Sequence, residues 1–183
     1  MRMPQLVTLA EAKAVLQSPD SDDGLVSELI ERASAAVESY TRRRILHASL
    51  VDLLSGGSKA LVLRFRPVVE VAQVVDLESQ QAVNSEEYAV DRRAGLILRK
   101  RGKWPKGDLR WEVRYTAGYA ATVDEVPPDI KQAVILLVQA WYQRRDPAIR
   151  EERIGDYSYT LADRAGWPDA VRALLDPYVE VVL

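Results

Sequence analysis

Two helical stripes lie far apart in this chain, and neither can be buried without the other. The first runs Leu25, Leu29, Ala33, Ala36, Val37 and Tyr40, spaced for one face of a helix. The second is Ile130 to Arg145, whose middle, AVILLVQAWY, is apolar almost all the way round and so demands cover on most sides. Between them, residues 47–117 carry strand-like patterning. An amphipathic helix must lay its apolar face on another element, so the segments before and after the β stretch are expected to pack together. The fold class expected is mainly α with a central β insertion, an α+β chain in the order α-α-(β hairpins)-α-α. Its divisions are 1–46, the N-terminal helices of the core; 47–117, the β-rich insertion; and 118–183, the C-terminal helices and tail that complete the core. The expected core is Leu25, Leu29, Ala33, Val37, Ile130, Val134, Leu137 and Trp141.

Local signals place the elements. Thr8-Leu9-Ala10-Glu11 is a capping box, and Pro19 stops the short helix it opens. Asp20-Ser21-Asp22-Asp23 offers N-caps for the second helix, with Glu28, Glu31, Arg32 and Glu38 on its polar face. That helix ends in Thr41-Arg42-Arg43-Arg44, cations near its carbonyl end. Strands are expected at Leu50–Leu54, Ala60–Phe65, Val68–Leu77, Glu87–Asp91, Gly95–Arg99 and Leu109–Thr116. In the last of these Leu109, Trp111, Val113 and Tyr115 share one face. Asp91–Gly95 reads as a hairpin turn, and so does Ser55–Lys59. Pro127-Pro128-Asp129 opens the third helix, and Asp169–Leu175 is a short fourth one.

The residue inventory excludes much chemistry. The absence of Cys removes disulfides, thiolate metal sites and thiol nucleophiles. His47 is the single histidine; Ser49 and Asp52 lie near it in sequence, but nothing in that spacing builds a nucleophile–base pair. Ser55-Gly56-Gly57-Ser58-Lys59 precedes strand-like sequence, whereas a phosphate loop opens a helix. The aspartates at 20–23 lack the spacing of a calcium loop. No run is apolar enough for a membrane span, and the first residues have no apolar signal core. With 48% hydrophobic and 28% charged residues the chain reads as a globular protein of the cytoplasm, or of an assembly built there.

Charge patterning is the remaining clue. The net charge is −2, so no global field holds nucleic acid. Arg outnumbers Lys 19 to 6, which suits interfaces and equally suits a GC-rich genome. Arg99, Lys100, Arg101, Lys103 and Lys106 flank Trp104 in a basic loop that could touch DNA in a channel or a neighbour's acidic face. Arg42, Arg43, Arg44, Arg144 and Arg145 could meet Asp22, Asp23, Glu28 and Glu31 of another copy. The end, Tyr178, Val179, Glu180, Val181, Val182 and Leu183, is apolar and follows Pro177, which suits a segment ordered by a partner better than a returning edge strand.

The ordered segments resemble the head–tail connector (adaptor) proteins of long-tailed bacteriophages and related gene-transfer particles. The carriers are LVTLAEAKAVLQ, DSDDGLVSELIERASAAVESYTRRRI, RPVVEVAQVV, EYAVDRRAGLILR, VRYTAGYA, PPDIKQAVILLVQAWYQRRD and IGDYSYTL, in that order. The resemblance implies a structural subunit with no catalytic residues, cofactor or metal. It implies a homo-oligomeric ring, commonly of twelve, beneath the portal protein. Such a ring extends the DNA channel without sequence recognition and docks the next head-closure or tail protein. It implies a place in the virion at the head–tail junction, assembly in the host bacterial cytoplasm, no membrane partner, and a C-terminal segment that reaches the portal. The β insertion here is long for that family. The alternative is a small nucleic-acid-binding accessory protein using the Arg99–Lys106 loop, and a third reading is a hydrolase built on His47.

Overall fold

The structure, a computed structural model, describes residues 4–143 and 167–179. The chain divides into two compact units: 1–42 with 123–183, and 43–122.

The first unit is helical. Helix α1 spans Leu9–Leu16, and the capping box at its start is made: Thr8 Oγ1 accepts from the Glu11 backbone N–H, and a Glu11 carboxylate oxygen accepts from the Thr8 N–H. Helix α2 spans Asp23–Thr41, α3 Pro128–Gln143 and α4 Asp169–Leu175. Helix α3 packs against α1, α2 and α4, as its broad apolar surface requires. It presents Ile130, Ala133, Val134, Leu137 and Val138, all buried. The buried face of α2 is Val26, Leu29, Ile30, Ala33, Ser34, Val37, Glu38 and Thr41. The expected stripe is thus corrected at one end: Leu25 is 37% exposed, and Val26 and Ile30 fill the face. Residues four apart advance 400° around a helix, so the row 25-29-33-37 drifts off the buried side. Glu38, expected on the polar face, is buried, and Trp141 is half-buried. Ahead of α1, Leu6 and Val7 are fully buried, and the Leu6 N–H donates to Ser34 Oγ at 3.0 Å.

The aspartates before α2 do not cap it. Asp22 occupies the N-cap position without a side-chain bond to the helix. Instead Lys13 pairs with Asp20 and Asp23, and Asp22 accepts from the Tyr142 hydroxyl. Lys131 pairs with Glu11 at 2.7 Å, which holds the Glu11 carboxyl below the usual carboxylate range. Near the other end, Tyr40 donates to Asp176 at 2.8 Å and its ring lies 5.2 Å from Trp167.

The second unit holds two antiparallel sheets. Its strands are β1 Ala48–Leu54, β2 Ala60–Val62, β3 Val68–Asp76, β4 Gln81–Ala82, β5 Tyr88–Asp91, β6 Leu96–Arg99 and β7 Trp111–Ala117. The orders are β1-β7-β3-β4 and β2-β6-β5. Strand β7 sits inside the larger sheet, and Trp111, Val113, Tyr115 and Ala117 face the core between the sheets with Leu61, Val74, Ile97 and Trp104. Leu109, expected on that face, is 57% exposed with φ +49, because the strand starts only at Trp111. The turn Asp91–Gly95 does join a hairpin, β5 to β6. The turn at Ser55–Lys59 does not: β1 pairs with β7 and β2 with β6, so this turn carries the chain from one sheet to the other. Gly56 is required there, since a Cβ would lie 1.9 Å from the Pro105 carbonyl oxygen and 2.6 Å from Trp111 Nε1.

Candidate functional site

The basic loop is built on a buried tryptophan. Trp104 has no exposed surface; its ring meets Trp111 edge-on at 4.8 Å and its Nε1–H donates to the Ile97 carbonyl at 3.0 Å. Trp111 Nε1–H donates to the Pro105 carbonyl at 3.1 Å. The loop is further stitched to the Gly56–Lys59 turn by backbone bonds. These run from Gly57 N to Trp104 O, from Trp104 N to Ser58 O, from Gly56 N to Gly107 O and from Arg99 N to Lys59 O, each 2.8–2.9 Å. A buried indole with a satisfied N–H anchors a polar loop through its buried apolar area and its hydrogen bond.

The cations of this loop divide into two kinds. Arg99 pairs with Glu87 at 2.6 Å and lies 5.0 Å above the Trp104 ring, so its charge is already used. Lys100, Arg101, Lys103 and Lys106 are exposed and have no acidic partner among the described residues. Lys59 joins them from the adjoining turn, exposed and equally unpaired among those residues. Sequence reading missed Lys59 because the turn and the loop are far apart in the chain; its only signal was a lone Lys after a Gly-Gly turn. Trp104, the aromatic that the cations flank in sequence, faces the core. Arg110, next along, is engaged by a two-pronged pair with Asp76 at 2.8 and 2.6 Å and by Glu78. That pair holds the Asp76 carboxyl below its usual range.

The other expected contact residues are placed as follows. Arg42 caps α2 in the left-handed conformation and is exposed. Arg43 donates to the Arg66 carbonyl at 3.3 Å, and the Arg44 guanidinium lies 5.4 Å from the Phe65 ring centre. Asp23, Glu28 and Glu31 line an open hollow on α2 with Gly24 and Ser27. Within that hollow Asp23 is paired with Lys13, and Glu28 with Arg32. Tyr178 and Val179 are half-buried at the end of a 3-10 turn over Asp176–Tyr178. Arg144, Arg145, Val181, Val182 and Leu183 lie outside the described residues, as do Tyr157 and the IGDYSYTL segment.

Among the described residues no catalytic constellation forms around the histidine. His47 is exposed, and the Asp52 carboxylate is occupied by the Tyr115 hydroxyl at 2.8 Å and the Arg64 backbone N–H at 2.8 Å. Burial pushes the Tyr115 hydroxyl pKa up, so it stays a donor to that carboxylate. The Gly56-Gly57 turn leads into strand β2. Among the described residues no cluster of acidic or imidazole groups has the geometry to hold a metal, and no helix is long and apolar enough to cross a membrane.

Comparison with solved structures returns the same fold over the whole chain. The neck of an empty gene transfer agent particle, computed with C6 symmetry, matches with TM-score 0.68 at 21% identity, covering 97% of this chain and 91% of that one. The neck of a native gene transfer agent particle, computed with C12 symmetry, gives 0.66 at 20% identity over 100% and 97%. A chain of the virion of the native particle gives 0.65 at 20% over 100% and 97%. Among curated proteins there is no match. The family model of head completion proteins matches residues 5–181, nearly the full length, and with two helical segments bracketing a two-sheet insertion the chain belongs to the head completion protein family.

Proposed function

We propose that this protein is a non-enzymatic structural subunit of the neck of a phage-like particle, an adaptor that forms a ring beneath the portal. The reading is supported by the match to the head completion protein family over residues 5–181 and by the end-to-end correspondence of the fold with neck chains of gene transfer agent particles. The ring has twelve copies, in keeping with the C12 symmetry with which one matched neck was computed. It continues the DNA channel, seats the next head-closure or tail protein on its far side, and belongs to the virion at the head–tail junction after assembly in the host cytoplasm.

A cyclic ring needs two different surfaces per subunit. We assign one to the Arg42, Arg43, Arg44, Arg144, Arg145 group and the other to Asp22, Asp23, Glu28 and Glu31. The tail Tyr178, Val179, Val181, Val182 and Leu183 is assigned to the portal. Around His47 the described residues assemble no nucleophile, base and orienting group, which favours a structural role over the hydrolase.

The test is genetic and visual. Deleting the gene from a producing strain should leave DNA-filled heads and free tails that do not join, and adding the protein back should restore joined particles. Normal particles without it would overturn the reading.

A further inference from the structure

The tip formed by the Gly56–Lys59 turn and the Arg99–Gly107 loop has a chemistry of its own. Lys59, Lys100, Arg101, Lys103 and Lys106 are exposed and carry no ion pair among the described residues, while Arg99 and Arg110 beside them are neutralised by Glu87, Asp76 and Glu78. Near the loop, Glu86 and Asp108 are exposed acids with no ion pair to these cations among the described residues. The backbone under the cations is held by the buried Trp104 and its bonds, so the loop itself does not have to be ordered on binding and only the side chains do. No aromatic side chain of the loop is offered to a partner, because Trp104 faces the core and Pro105 is the only other non-polar ring. Such a surface is suited to neutralising anions and offers no aromatic face for base stacking.

We infer that this tip binds the phosphate backbone of double-stranded DNA without sequence preference, through Lys59, Lys100, Arg101, Lys103 and Lys106. The inference rests on the proposed function for the source of the DNA, and deepens it by naming the residues that meet it. A net charge of −2 does not oppose it, because charges more than about 8 Å away are screened at physiological salt. An acidic face of a second copy is the competing partner, and the self-association arm of the test separates it from DNA. A phosphate backbone supplies a row of anions whose condensed counterions are released on binding, which favours association at low salt.

The test uses the full-length protein and a short labelled DNA duplex, with binding read by fluorescence anisotropy across a salt series. Log affinity should fall linearly with log salt, by about 0.9 per phosphate neutralised, and should not depend on sequence. Combined Lys59→Ala, Lys100→Ala, Arg101→Ala, Lys103→Ala and Lys106→Ala should weaken binding at least about tenfold at low salt and flatten the slope by about one for each phosphate no longer neutralised. The same variant should melt at the wild-type temperature, and replacing the four lysines by Arg should keep binding. No duplex binding by the wild-type protein at low salt overturns the inference, as does an unchanged slope in the alanine variant. An alanine variant that keeps DNA binding but loses self-association overturns it in favour of a subunit interface. Incorporation into particle necks is scored separately. A chain that binds duplex but is absent from necks refutes the proposed function alone, and one present in necks that does not bind duplex refutes the tip alone.

Discussion

Replacing Trp104 with Ala removes one of the largest fully buried side chains in the protein. Truncating a buried aromatic residue to Ala costs about 3–5 kcal/mol through lost transfer energy and the cavity left behind. The site adds to the upper part of that range. The ring is edge-on to Trp111 at 4.8 Å, lies near Tyr88 at 6.2 Å and carries Arg99 at 5.0 Å, and aromatic pairs of this kind add about 0.5–1.5 kcal/mol. The expected loss is therefore about 4–5 kcal/mol, a large share of a domain stability of about 5–15 kcal/mol. Trp104→Phe keeps most of the apolar volume and loses the Nε1–H bond to the Ile97 carbonyl, so it should cost about 1–3 kcal/mol. Urea unfolding should be followed by far-ultraviolet circular dichroism, because tryptophan emission changes with the substitution itself. The midpoint should fall while the slope stays constant, the sign of lost stability without a changed unfolded state. A loss below about 1 kcal/mol for Trp104→Ala, or equal losses for Ala and Phe, would refute the claim that this indole anchors the basic loop.

Gly56→Ala should destabilise by more than about 1 kcal/mol, since its methyl would meet backbone and indole at 1.9 and 2.6 Å; thermal melting checks it, and a wild-type midpoint sinks the close-approach argument. Because Arg110 depresses the Asp76 carboxyl, the pair adds stability above the ordinary carboxylate pKa of about 4 and loses it as pH falls through the lowered value. Arg110→Met should lower the melting temperature at neutral pH and flatten its decline toward acid, whereas parallel acid limbs would show that the pair is not the cause. Reversing Arg42, Arg144 and Arg145 to Glu should weaken self-association, read by sedimentation, and added salt should weaken that of the wild type, because exposed pairs contribute only about 0–1 kcal/mol each and are screened. Self-association indifferent to both would put the ring interface on apolar surface instead.

Strand and helix identities were readable because each is a periodic property of neighbouring residues. The buried set of β7 followed from its alternation, and the helix pair from two stripes that had no other cover. The errors fall where periodicity stops. Leu109 continues the alternation of β7 by one step, but a positive φ at that residue turns it out to solvent. Leu25 sits at the edge of a four-residue row that slips around the helix. Ser55–Lys59 has the composition of a hairpin turn, and composition is the same whether the next strand pairs with the last or crosses to another sheet.

For the site, the basic loop was visible as a run of charges, but its character was not. Which cations are neutralised depends on Glu87, Asp76 and Glu78, brought up by sheet pairing rather than by sequence neighbours. Trp104 lies between lysines with no apolar period around it, and only the approach of Trp111 and Ile97 makes a core position of it. Lys59 joins the tip through backbone hydrogen bonds that tie Gly57, Ser58 and Lys59 to Arg99 and Trp104. Local periodicity, caps and turn residues set the kinds and order of the elements, since those energies act within a few residues. Strand partners, the buried indole and the unpaired cations were decided only by the tertiary structure. Each depends on segments distant in the chain, whose interaction energies exist only after the chain has closed on itself.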